Sequence, residues 1–135
     1  MTAPAIELPE AGPLMQEQRA ALEEGRLTHQ RCLLCGYAWL PPGGECPSCL
    51  GAEWTWETAA GGGRIVSWVV YHRAYHPAFA DRVPYNVAIV ELDEGPRLVT
   101  NVIGVEGGEG LEIERPVRLH VEHEGGVPVA RFRLM

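Results

Sequence analysis

Three observations in this 135-residue chain predict a mainly β protein with a short helix in front. Two Cys-x-x-Cys pairs stand close together, a triple glycine leads into β-branched and aromatic runs, and no helical pattern of any length follows it. The expected order is an N-terminal arm and helix over 1–26, a rubredoxin-like zinc ribbon over 27–60 and a five-stranded OB-fold barrel over 61–135. With 46% hydrophobic residues the chain can bury a core. The roughly eighteen residues around the cysteines cannot, and need a metal ion.

Composition narrows the function classes. A formal net charge of −7 opposes non-specific attraction to a polyanion. No apolar run approaches the roughly twenty residues of a membrane span. Met1 to Gly12 lacks the basic start and apolar core of a signal peptide, so a soluble, cytoplasmic protein is expected.

Residues 1–12 carry Pro4 and Pro9 without periodicity and read as an arm. Pro13 suits a first helical turn, Leu14, Met15, Ala20, Ala21 and Leu22 make a short apolar stripe, and Gly25 offers a stop. A helix is predicted from Pro13 to Glu24, its stripe facing either its own domain or another subunit.

Cys32, Cys35, Cys46 and Cys49 use every cysteine in the chain. Two residues between partners let both sulfurs of a turn face one centre, and zinc takes four such sulfurs at about 2.3 Å in a tetrahedron. Four thiolates leave no open position, so the expected site is structural, with one zinc per chain. Two disulfides do not suit a chain without a signal sequence, and a redox pair calls for one Cys-x-x-Cys beside a βαβ pattern. Strands are expected on both flanks, over Leu27–Arg31 and Gly51–Glu57. The aromatic residues Tyr37, Trp39, Trp54 and Trp56 can shield the metal, pack the ribbon on the barrel, or stack on bases.

Beyond Gly61-Gly62-Gly63, strands are predicted at Arg64–Tyr71, Tyr85–Leu92, Arg97–Gly104, Pro116–Glu122 and Val127–Arg133, with turn residues between them. A closed barrel leaves no exposed edges, which favours an OB fold over an open sheet. The first barrel loop gathers Tyr71, His72, Arg73, Tyr75 and His76, where rings can stack and Arg73 can reach a phosphate. No triad accompanies these histidines. His120-Val121-Glu122 lacks the downstream Pro-Cys-x-x-Cys of zinc deaminases. The acidic run Glu106, Glu109, Glu112 and Glu114 reads as solvated surface.

The series Gly25-Arg26-Leu27, Arg31-Cys32-Leu33-Leu34-Cys35-Gly36, Pro41-Pro42, Cys46-Pro47-Ser48-Cys49, Pro84-Tyr85 and Val90 to Leu98 resembles one family. These are the zinc-ribbon, OB-fold, acyl-CoA-associated proteins catalogued as domain of unknown function thirty-five. The resemblance runs from about Pro13 to Leu134. It implies a non-catalytic accessory subunit that binds a thiolase-like enzyme or a thiolase-fold aldolase, in a hetero-oligomer that handles acyl-CoA thioesters of lipid, steroid or related metabolism.

Acyl-CoA pairs phosphates with an apolar arm, and the basic groups available to it are Arg31, Arg64, Arg73, Arg82 and Arg97, foremost Arg73 and Arg97. Trp39 and Tyr75 are the expected partner contacts. The competing reading is a zinc-ribbon/OB protein that binds single-stranded nucleic acid, against which 18 acidic residues face 11 basic ones.

Overall fold

The computed structural model of the protein describes residues 10–135. Most of the expected N-terminal arm, residues 1–9, lies outside the described residues. Helix α1 spans Pro13–Glu23, one residue shorter than the expectation, with Pro13 in its first turn. It ends because Gly25 takes a left-handed φ of 82°, which lets the Gly25 amide donate to Leu22 and the Arg26 amide to Ala21. Its buried side chains are Gln18, Ala21 and Leu22. The helix packs on strands of its own chain, which takes up Ala21 and Leu22 of the stripe and leaves Ala20 exposed.

Strands β1 (Thr28–Cys32), β2 (Ala38–Trp39) and β3 (Trp54–Thr58) form an antiparallel sheet in the order β2-β1-β3. Strands β4 (Gly62–Tyr71), β5 (Tyr85–Leu92), β6 (Arg97–Thr100), β7 (Val102–Ile103), β8 (Pro116–Glu124) and β9 (Val127–Leu134) form the second sheet, in the order β6-β5-β4-β8-β9-β7. Only Asn101 separates β6 from β7, so this order closes on itself. The result is the expected OB-fold barrel.

The expected single strand Arg97–Gly104 is broken in two, for a reason that lies in closure. Its first half pairs antiparallel with β5 and its second half parallel with β9, so the chain changes neighbours at Asn101. Buried Asn86 fills the gap where the ladder parts. Its side-chain amide donates to the carbonyls of Val102 and Gly107, 2.8 Å each, and its Oδ1 accepts from the Val102 amide at 2.8 Å. A lone polar residue in an alternating strand gives no such signal in sequence.

Val66 is an extra residue in β4, since Ile65 pairs with Val90 and Ser67 with Ile89. Such a bulge bends a strand, and here it lets β4 lie along β5 throughout while meeting β8 only at Gly62–Arg64. The barrel interior holds Ile65, Ala88, Val90, Leu92, Val117 and Phe132, and the same cluster continues into Leu22 of α1 and into Leu27 and Ala59 at the ends of the ribbon. Helix, ribbon base and barrel therefore share one core.

The triple glycine is needed at least at Gly63, where a β-carbon would sit 2.6 Å from the Glu91 carbonyl oxygen and 2.9 Å from a Val90 methyl. Backbone cannot retreat as a flexible side chain would. Gly63→Ala is expected to destabilise the protein by about 2 kcal/mol, seen as a lower denaturation midpoint with an unchanged denaturant slope.

Candidate metal centre and barrel face

The two cysteine turns are closed alike. The Cys32 amide donates to Tyr37 and the Cys46 amide to Gly51, while the Gly36 amide donates back to Cys32 and the Leu50 amide back to Cys46. In each turn two amides point at the first sulfur. Leu34 and Cys35 donate to Cys32 Sγ, both at 3.4 Å, and Ser48 and Cys49 to Cys46 Sγ at 3.4 and 3.5 Å. Amides aimed at sulfur stabilise thiolates and fix their direction.

The four sulfurs all lie within 4.8 Å of one another. Bonds of about 2.3 Å in a tetrahedron require sulfur–sulfur edges of roughly 3.8 Å. Cys32 and Cys49 stand 3.5 Å apart, and Cys35 and Cys46 3.6 Å. These residues fit a tetrahedral metal ion. Without one, the Cys35 amide leads the groups that outweigh burial and draw the Cys32 thiol down to about 6. At Cys49 the Gly51 amide acts downward, but the Cys32 sulfur, burial and the other two sulfurs together push the thiol up to about 12. The crowding thus favours the Cys32 thiolate and opposes the Cys49 one, a conflict that a bound cation would relieve.

Gln30 and Trp39 hold the connection between the turns. Gln30 is fully buried, and its side chain both donates to the Gly43 carbonyl and accepts from the Gly43 amide, each at 2.8 Å. Neither residue spacing nor composition marked it. Trp39 was expected at a partner surface, but only 4% of it is exposed, packed with Cys32 and Cys46 and half-buried Trp54. The reason is that β2 turns this ring inward over the sulfurs, and Tyr37, stacked on it at 6.4 Å, takes the exposed position.

On the barrel face, the first loop folds its rings together. Tyr71 stacks on Tyr85 at 5.3 Å and meets Tyr75 edge-on at 6.1 Å, while Phe79 lies 5.5 Å from Tyr85. With Asn86, Asn101 and Arg131 they line an open cleft of about 1170 Å³. Tyr75 is 74% exposed, and the Arg73 guanidinium sits 5.5 Å from the centre of its ring. His76 caps the short 3-10 turn Pro77–Phe79 by accepting from the Ala78 amide at 3.0 Å, a structural task. A second, apolar groove of about 680 Å³ runs between α1 and the barrel, past Met15, Leu22, Leu40 and Leu98, with Arg97 on its lining.

The five candidate phosphate contacts separate sharply. Arg31 bonds Glu57 at 2.7 Å, Arg82 bonds Glu124, and Arg64 and Arg97 converge on Glu91 at 2.5 and 3.0 Å. Arg97 is therefore committed to Glu91, which a linear reading had no means to detect. Among the described residues Arg73 alone of the five has no carboxylate partner. No helix of the described residues is long and apolar enough to cross a membrane.

Comparison with known proteins gives this geometry a family. The C-terminal OB-fold domain of ChsH2 matches residues 56–122. A DUF35 domain-containing scaffold protein of Methanothermobacter thermautotrophicus is 37% identical over 108 residues, 75% of this chain and 79% of that one. This chain belongs to the DUF35 family. A DUF35 member from Sulfolobus solfataricus superposes with a TM-score of 0.68 at 12% identity, a likeness of fold. A chain of the solved Ltp2-ChsH2(DUF35) aldolase superposes with a TM-score of 0.80 at 38% identity, covering 94% of this chain and 98% of that one. A probable enoyl-CoA hydratase alpha subunit of Thermomonospora curvata is 46% identical over 99 residues, yet this DUF35 chain spans only 30% of its length.

Two outcomes are expected here. Leu50 has a φ of 65° where the twin turn has Gly36 at 82°, so Leu50→Gly is expected to stabilise the metal-loaded protein by about 1 kcal/mol, read from its thermal midpoint. Arg97 first, then Arg64, holds the Glu91 carboxyl below the usual carboxylate range. Stability from that depression is complete above the unfolded value of about 4.3 and is lost as pH falls through the folded one. Arg97→Ala is expected to move the acid-unfolding midpoint to higher pH, followed by circular dichroism.

Proposed function

We propose that this DUF35 chain is a non-catalytic accessory subunit, cytoplasmic, that binds a thiolase-like enzyme or a thiolase-fold aldolase and assists it with acyl-CoA thioesters. The observation that carries this reading is the match, over nearly both full lengths, to a chain of an aldolase complex. The scaffold name of the archaeal relative and the hydratase name of the longer one point the same way, toward service in a larger assembly. On this reading Cys32, Cys35, Cys46 and Cys49 hold one structural zinc. The ion shapes the ribbon and takes no part in chemistry.

Acyl-CoA has a natural place at the aromatic cleft. Tyr71 and Tyr75 offer faces for an adenine ring, and Arg73, without a carboxylate partner among the described residues, is placed to meet a phosphate. The neutralised arginines weigh against nucleic acid, which needs a continuous basic groove.

The test is co-purification of the tagged chain from its own source, with the bound protein identified by mass spectrometry and metal content measured alongside. A thiolase-fold subunit at fixed stoichiometry and one zinc per chain are expected. Recovery of the chain alone would overturn the accessory role. In the complex, Arg73→Ala is expected to weaken acyl-CoA binding about tenfold by calorimetry while leaving subunit affinity unchanged.

A further inference from the structure

We infer that the chain seats in its enzyme partner through the apolar tip of the ribbon, formed by Leu33, Leu34, Leu50 and Tyr37, and that the partner offers an apolar socket with a basic rim. This rests on the accessory-subunit reading and names the surface and the chemistry that complete it.

The tip is exposed where a folded chain would normally hide such groups. Leu33, Leu34 and Leu50 are 63%, 62% and 72% exposed, and Tyr37 is 48% exposed. Leu33, Leu34 and Tyr37 belong to the first cysteine turn and Leu50 to the second, and the two turns meet at the sulfurs. The Leu34 side chain lies across Gly51, where a β-carbon would sit 2.5 Å from its methyl and 3.3 Å from Cys49 Sγ, and Leu50 is the residue between. Leu33 is tied to the second turn by its amide, which donates to Glu53.

Leu50 supplies an independent argument, because its twin turn is an internal control. The two turns share the backbone bonds that close them and the pair of amides aimed at the first sulfur, and both place a left-handed residue at the same point. One uses Gly36 and the other a leucine. The strained backbone is costly for a branched side chain, and this side chain makes no return within its own fold because it stands in solvent. Strain retained with an exposed apolar group points to a contact outside the chain.

Charge selects the occupant. Between residues 27 and 60 the sole basic residue is Arg31, which is already bonded to Glu57 and to the Gly36 carbonyl, while Glu45 and Glu53 stand exposed near the tip. An anionic surface, or a second copy of this same tip, meets repulsion; a socket ringed by Arg or Lys meets attraction.

The decisive experiment titrates wild type, Leu50→Gly and Leu34→Ser into the thiolase-fold subunit recovered by the co-purification above, at low and high salt. Leu50→Gly removes a knob while relieving the backbone, so its thermal midpoint is expected to be no lower than that of wild type. Its affinity is nevertheless expected to fall tenfold or more, as is that of Leu34→Ser, and wild-type affinity is expected to drop as salt rises. Unchanged affinity in Leu50→Gly would overturn docking through the tip and leave the accessory role standing. Absence of binding by wild type would overturn both. Binding indifferent to salt would overturn the basic rim. Self-association of wild type in sedimentation, abolished in Leu50→Gly, would give the tip to a second copy and overturn the enzyme socket.

Discussion

Most of this architecture hangs on convergence of four sulfurs. Between its strands the ribbon buries few apolar side chains of its own, chiefly Trp39 beside Cys32 and Cys46, and its strands adjoin the cysteine turns. Holding Cys32 and Cys46 together fixes the register of β1 with β3, and that register brings the Ala59 amide to the Leu27 carbonyl at the base. Leu27 and Ala59 then enter the barrel core. The cysteine cluster and the hydrophobic core are thus two ends of one short lever.

What the linear sequence disclosed followed from how local each signal is. The cysteine turns, the helix with Pro13 and Gly25 at its ends, and the alternating run Tyr85–Leu92 are each specified by neighbouring residues, and they appear within a residue or two of expectation. The break at Asn101 was not legible, because it answers to strands distant in sequence. Asn86 and Gln30 were missed for a related reason: each satisfies backbone groups 13 to 21 residues away, and an amide side chain looks the same whether it is solvated or buried.

The site was legible in its chemistry and less so in its geography. Aromatic rings of the first barrel loop do gather on one face, as their density suggested, and Tyr75 stands exposed there. Trp39 went inward instead, since a two-residue strand over the sulfurs leaves its ring no outward course. Every one of the 11 basic residues is an arginine, and several fork onto glutamates from other strands. Composition counts charges but does not pair them, so Arg73 could be told from Arg97 only once both were placed in space.

The shared core also bears on how such a unit can be moved between genes. Cutting the chain at the glycine linker would strip Leu22, Leu27 and Ala59 from the barrel and leave both fragments with raw apolar faces. A recombination event that inherits only the barrel, or only the ribbon, inherits an exposed wound. The shared core therefore favours keeping helix, ribbon and barrel together as a single cassette.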